Sequence, residues 1–173
     1  MINADRTSSK SIRSSSREGL SLFSVLLFSG CIFSSASSAA QRFGDWNSSF
    51  SMGVIELSVA NGPGNVFVLA CNEGADMLEG SSIDVRILNQ PPKPNSRVNM
   101  IFDGNQHEFF VGNESSIHTN SHVDADNFIA LLAKLKKSKT LLVQFSDGRS
   151  SNFSLKGAAQ ALKGTKCRNG YYD

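Results

Sequence analysis

The densest gathering of reactive side chains in the chain is HEFFVGNESSIHTNSHVDAD, which sets His107, His118 and His122 among Glu108, Asp124 and Asp126. His118 and His122 are four residues apart, a spacing at which two imidazoles on one helix face hold zinc, with Asp124 as a third ligand. That chemistry needs helix beneath both rings, and HTNSHVDAD reads as a polar loop ahead of a helix cap. The competing reading is therefore solvated loop histidines and a capping aspartate. No serine sits in a G-x-S-x-G elbow, and NGPGN lacks the Lys and Ser/Thr that complete a phosphate loop. The residues point away from an enzyme and call for no cofactor.

Cysteine carries the second kind of chemistry. The three thiols are Cys31, Cys71 and Cys167. Cys31 lies in LSLFSVLLFSGCIFSS, an apolar run broken by serines and too short to span a bilayer, which needs about twenty apolar residues. With Arg6, Lys10, Arg13 and Arg17 before it and SSASSAAQ after it, residues 1–40 read as a secretory signal. Two processing routes stay open. Ordinary cleavage would fall after Ala40, whereas FSGC resembles a bacterial lipobox, in which Cys31 would be acylated and become the new N-terminus. Either route leaves two thiols, and in an oxidising compartment a Cys71–Cys167 disulfide is the economical pairing. Two unrelated structural thiols are the alternative.

Charge narrows the partners. Of the 17 basic and 15 acidic residues, four and two fall in the first forty positions, so thirteen of each remain beyond them. A neutral domain has no basic footprint for a phosphate backbone, and nucleic acid is not an expected partner. Membrane contact is expected only through the signal or a lipid. The run KLKKSK falls where a helix should end, where cations meet the negative end of the helix dipole.

Behind these residues stands a β-rich scaffold. MGVIELSVA alternates Ile55, Leu57 and Val59 against polar neighbours, NVFVLAC is a short continuous apolar run, and NGPG joins them as a hairpin. SSIDVRIL turns Ile83, Val85 and Ile87 inward, and NQPPKPNS follows as a rigid loop through Pro91, Pro92 and Pro94. RVNMIF and HEFFV flank DGN, a tight turn that wants positive φ. DADNFIALLAKLKK is the one long helix, capped by Asp124 or Asp126, with Phe128, Ile129, Leu131, Leu132 and Leu135 as its buried stripe. TLLVQF, SDG and SNFSL make a last hairpin, with Phe153 and Leu155 inward, and KGAAQALKG adds a helical turn or two. The expected fold is mainly β with one or two helices, an antiparallel β-sandwich or a partly open barrel. Residues 41–167 form the single domain, and 168–173 are a mobile tail.

The segment FSLKGAAQAL after a DG turn, together with DWNSSF and its early Trp46, resembles the invasion-associated locus B family of exported bacterial envelope proteins. That likeness implies a β-rich periplasmic or secreted protein linked to host interaction or envelope integrity, with no catalytic residues to carry over. A looser likeness is to periplasmic inhibitors of cell-wall hydrolases. The expected activity is non-catalytic binding of an envelope or host protein, with an inhibitor or immunity role and a metal-binding role as alternatives. Core packing accounts for Phe43, Trp46, Phe50, Phe109 and Phe110; the sharper reading makes Trp46 or Phe110 part of a partner-binding patch, since adjacent Phe109 and Phe110 must point to opposite sides of one strand and one of them meets a helix or faces water.

Overall fold

The computed structural model describes residues 40–74, 80–119 and 121–172. The expected signal and Cys31 lie outside the described residues.

Ten strands and two helices follow one another along the chain. They are β1 (Gln41–Phe43), β2 (Trp46–Ser51), β3 (Val54–Ala60), β4 (Val66–Asn72), β5 (Ser82–Arg86), β6 (Arg97–Phe102), β7 (Asn105–Phe110), β8 (Ile117–His118), α1 (His122–Lys137), β9 (Thr140–Phe145), β10 (Ser150–Ser154) and α2 (Ala158–Ala161). They build a six-stranded sheet ordered β1-β2-β3-β4-β5-β8 and a four-stranded sheet ordered β10-β9-β6-β7. Every pairing is antiparallel. The expected mainly antiparallel β fold with two helices is the fold observed.

Alternation explains which side of each sheet is dry. Leu57 and Val59 on β3, Phe67, Leu69 and Cys71 on β4, and Ile83 and Val85 on β5 are buried. So are Val98, Met100 and Phe102 on β6 and Leu141, Val143 and Phe145 on β9, and all of these belong to one cluster. Side chains along a strand alternate between faces, so two such stripes bring both sheets onto the same core. The hairpin turns follow their chemistry: Asp103 and Gly104 take φ of 46° and 88° between β6 and β7, where a two-residue turn matching strand twist needs positive φ at both positions.

The helix departs from expectation at its start. Its N-cap is Ser121, whose side chain accepts from the Asp124 backbone amide, so neither Asp124 nor Asp126 caps it and helix begins at His122. The Asp124 carboxylate bonds the Ser121 hydroxyl in return. The SHVD motif is thus a serine N-cap whose hydroxyl bonds both the amide and the carboxylate of Asp124. Phe128, Leu131 and Leu135 are buried as expected and Ala125 joins them, whereas Ile129 is 49% exposed and Leu132 only packs against the margin of the core.

The first hairpin, β1–β2, has no counterpart in the sequence reading. It closes over the end of β10: the Asp45 amide donates to the Lys156 carbonyl at 3.0 Å, and the Ser154 hydroxyl donates to the Asp45 carboxylate at 2.7 Å.

Candidate functional site

The proposed thiol pair forms. Cys71 on the inner face of β4 and Cys167 are bonded, S–S 1.99 Å with Cα atoms 4.1 Å apart, and both are buried. Backbone bonds surround the bridge. The Lys166 and Cys167 amides donate to Glu73 Oε1 at 2.8 and 3.1 Å, the Arg168 amide donates to the Asn72 carbonyl at 2.9 Å, and the Ser81 amide and hydroxyl both donate to the Arg168 carbonyl at 2.7 Å. The segment 166–168 is therefore laid between the end of β4 and Ser81 like a short added strand, with Asn72 and Arg168 as its bridge pair.

Beyond the disulfide, the expected mobile tail is docked as far as Tyr172. Asn169 is buried and its side-chain oxygen accepts from the amides of Tyr171 and Tyr172 at 2.9 Å each. The Tyr172 hydroxyl donates to Asp126 Oδ1 at 2.9 Å, and the His122 ring stands edge-on to both tyrosines at 5.1 Å. Removal from water, followed by the Asp126 carboxylate, pushes the Tyr172 hydroxyl above its ordinary value. A Cys–Arg–Asn–Gly–Tyr–Tyr string has no periodic signature, so these anchors have no pattern that a sequence reading could use.

The residues proposed as a metal site are drawn to separate partners. His118 sits on β8 opposite Ser82, with Nε2 3.8 Å from Glu114. His122 opens α1 and faces Asp126 at 3.3 Å, while Asp124 is committed to the cap. A strand and a helix start cannot give two imidazoles the shared face that their spacing suggested. Among the described residues no three His, Cys, Asp or Glu side chains gather as a metal cage. His107 packs its ring edge against Phe102 at 6.1 Å.

Of the proposed binding patch, Trp46 is corrected. It is fully buried, edge-on to Phe67 at 6.0 Å, with its indole N–H donating to the Ser154 carbonyl at 3.0 Å. Trp46, the one buried residue of β2, is a core residue whose polar edge needed a partner, and Ser154 supplies it. Phe109 is buried and Phe110 is 52% exposed on β7 opposite Arg97, on the opposite sides of the strand that adjacent residues must take.

The most organised surface feature escaped the sequence reading. Leu88 and Asn89 form a two-residue turn between Ile87 and Gln90, which exchange backbone bonds of 3.0 and 3.2 Å. Arg149 grips it from below. Nη1 donates to the Ile87 and Gln90 carbonyls, both at 3.0 Å, and Nη2 donates to the Pro91 carbonyl at 2.9 Å. Nε and Nη2 also donate to the Asp147 carboxylate, and the guanidinium carbon lies 4.9 Å from the centre of the Phe145 ring. All five donors of the fork are engaged. Bonding to Arg149 holds the Asp147 carboxyl below its usual range. A contact between SDGRS and NQPP, some sixty residues apart, leaves no local pattern in either segment.

A shallow cleft of about 460 Å³ lies beside β10, lined by Asp45, Asn61, Lys139, Thr140, Asn152 and Ser154 among others. Ala60 and Phe153 add apolar surface to its wall, within which Asp45 and Ser154 bond to one another.

These features define a small two-sheet antiparallel β domain with one long helix, closed by a disulfide between an inner strand and its last segment. Residues 44–162 match the YfjT family model, and the chain belongs to the YfjT family. No curated protein and no solved structure matches the chain. No match links it to the invasion-associated locus B proteins.

Proposed function

We propose that this chain is an exported bacterial envelope protein that acts by binding another envelope or host protein and performs no catalysis. The observation that carries the reading is the buried Cys71–Cys167 disulfide, a cross-link that persists in oxidising compartments and is rare in the cytosol. Three further features support it: the signal-like first forty residues, the likeness of FSLKGAAQAL to the close of the locus B proteins, and the exposed Phe110 on a strand edge.

The test is cell fractionation with thiol counting on the denatured, unreduced protein. Recovery from the envelope fraction with no free thiol in the processed chain is the expected result. A full-length cytoplasmic chain with reduced sulfurs overturns it. Affinity capture from envelope extracts with Phe110→Ala then asks whether that ring belongs to the contact; Trp46, as a core residue, is left intact.

A further inference from the structure

We infer that the Leu88 turn is a pre-formed docking tip for a protein partner that offers an apolar pocket edged by carboxylates. This inference rests on the reading of the chain as a binding protein and names the contact.

Leu88 has φ of 56° and Asn89 of 62°, and Leu88 is 65% exposed. Glycine, asparagine or aspartate adopt that conformation readily, whereas a bulky γ-branched side chain there is an outlier. Burial gives little in return, because most of the side chain faces water. Strain held at an exposed apolar residue points to a use outside the fold.

The frame beneath the tip is unusually complete. The Leu88 amide donates to Asn65 Oδ1 at 2.9 Å and the Asn89 amide to the Gly64 carbonyl at 2.8 Å. Gly64 touches the turn so closely that a Cβ there would stand 2.7 Å from the Asn89 side chain. With Arg149 holding three carbonyls from the other side, the turn is fixed before any partner arrives, which removes the ordering penalty that loops usually bring to binding.

The chemistry around the tip selects the partner. Arg86 before Leu88 in the chain and Pro91, Lys93 and Pro94 after it are all exposed. The neighbouring acid, Asp147, is consumed by Arg149, and its carboxyl also feels the charge of Lys93. An apolar point flanked by two cations complements an apolar pocket with an acidic rim. A rigid single-residue tip suits a fitted pocket more than a lipid surface, where a fixed turn confers no advantage.

The experiment places a photoreactive residue at position 88 of the full chain in the cells that naturally make it, with position 123 as control, since Val123 on α1 is 67% exposed. The protein cross-linked through position 88 is purified and becomes the probe for calorimetry. Leu88→Asn is expected to weaken binding by about 30-fold, the size of a hot-spot loss, while its melting temperature stays at or above that of the parent. Lys93→Glu should weaken binding further as salt is lowered. An empty position 88, labelling equal to that at position 123, or a probe that binds Leu88→Asn as well as the parent would overturn the inference. So would Leu88-dependent recruitment to phosphatidylglycerol vesicles without a protein adduct. An adduct formed through position 110 alone would remove this contact and leave the broader reading standing, whereas cytoplasmic recovery with reduced sulfurs would remove that reading itself.

Discussion

Strand β4 is held at both ends, by opposite chemistries. At its far end Cys71 is covalently joined to Cys167 inside the core, and Asn72 pairs with Arg168. Just before its start, Gly64 and Asn65 carry the Leu88 turn, which Arg149 grips at the surface through hydrogen bonds alone. The first tie depends first on redox state, with the Glu73 carboxylate accepting two amides beside it. The second is indifferent to reductant and depends on one guanidinium and one carboxylate. A single strand thus gives two independent controls, and perturbing one should leave the other in place.

The largest expected effect comes from the covalent end. Replacing Cys71 and Cys167 together by Ser should lower unfolding free energy by up to about 4–5 kcal/mol, the chain-entropy value for a loop of this length. Urea denaturation with and without reductant checks it: the parent in reductant should fall to the level of the double variant, which should not respond to reductant. Amide exchange at Ile87 and Gln90 should be slow in both.

Arg149→Ala should be smaller, about 1.5–3 kcal/mol, because three carbonyls lose a charged donor at a partly exposed site where water can substitute. Arg149→Lys should recover little of this, since an ammonium cannot span the fork. Here exchange at Ile87 and Gln90 should quicken while the disulfide end keeps its protection, the reverse of the cysteine result.

Acid should divide the two ends as well. Asp147 is lowered from its ordinary 3.8 by Arg149, and Asp103 is lowered first by the Lys139 backbone amide and also by Thr140. A carboxyl depressed by folding stabilises the native state above its unfolded pKa, and that stability is lost as pH falls through the depressed value. Stability should hold from neutrality down to about pH 4 and decline below it, with the Leu88 turn and the β6–β7 turn opening before the Cys71 end. Exchange-quenched mass spectrometry along a pH series reads this order.

The smallest effect has the opposite sign. Leu88→Asn should raise stability by about 0.5–1 kcal/mol, because asparagine tolerates the left-handed backbone that leucine resists. Thermal melts of the two proteins suffice to test it.

The same contrast separates what was legible in the sequence from what was not. Hairpins announced by NGPG, DGN and SDG, the alternating strands and the apolar stripe through Phe128, Leu131 and Leu135 are local patterns, and they stand. The disulfide was within reach of counting thiols. The β1–β2 hairpin lacked the β-branched residues that mark strands, so no element placed Trp46, and core and binding patch both stayed open until its burial decided for core. The Ser121 cap was readable in SHVD as a serine three residues before an acid, yet the two aspartates beyond it drew the eye. His118 and His122 were read as loop residues ahead of a cap, and the structure instead puts one on β8 and the other at the start of α1, because a two-residue strand and a first helical turn carry no periodicity of their own. Arg149 belongs to the Leu88 turn only through folding, and neither segment carries a mark of the other.

Cys167 emerges from the ribosome 96 residues after Cys71. Through that interval the earlier sulfur has no native mate, while β3, β4 and β5 can already hydrogen-bond around it. The native bridge can therefore close only when nearly the whole domain is present, and a catalyst of thiol exchange must reach Cys71 before segment 166–168 settles over the end of β4.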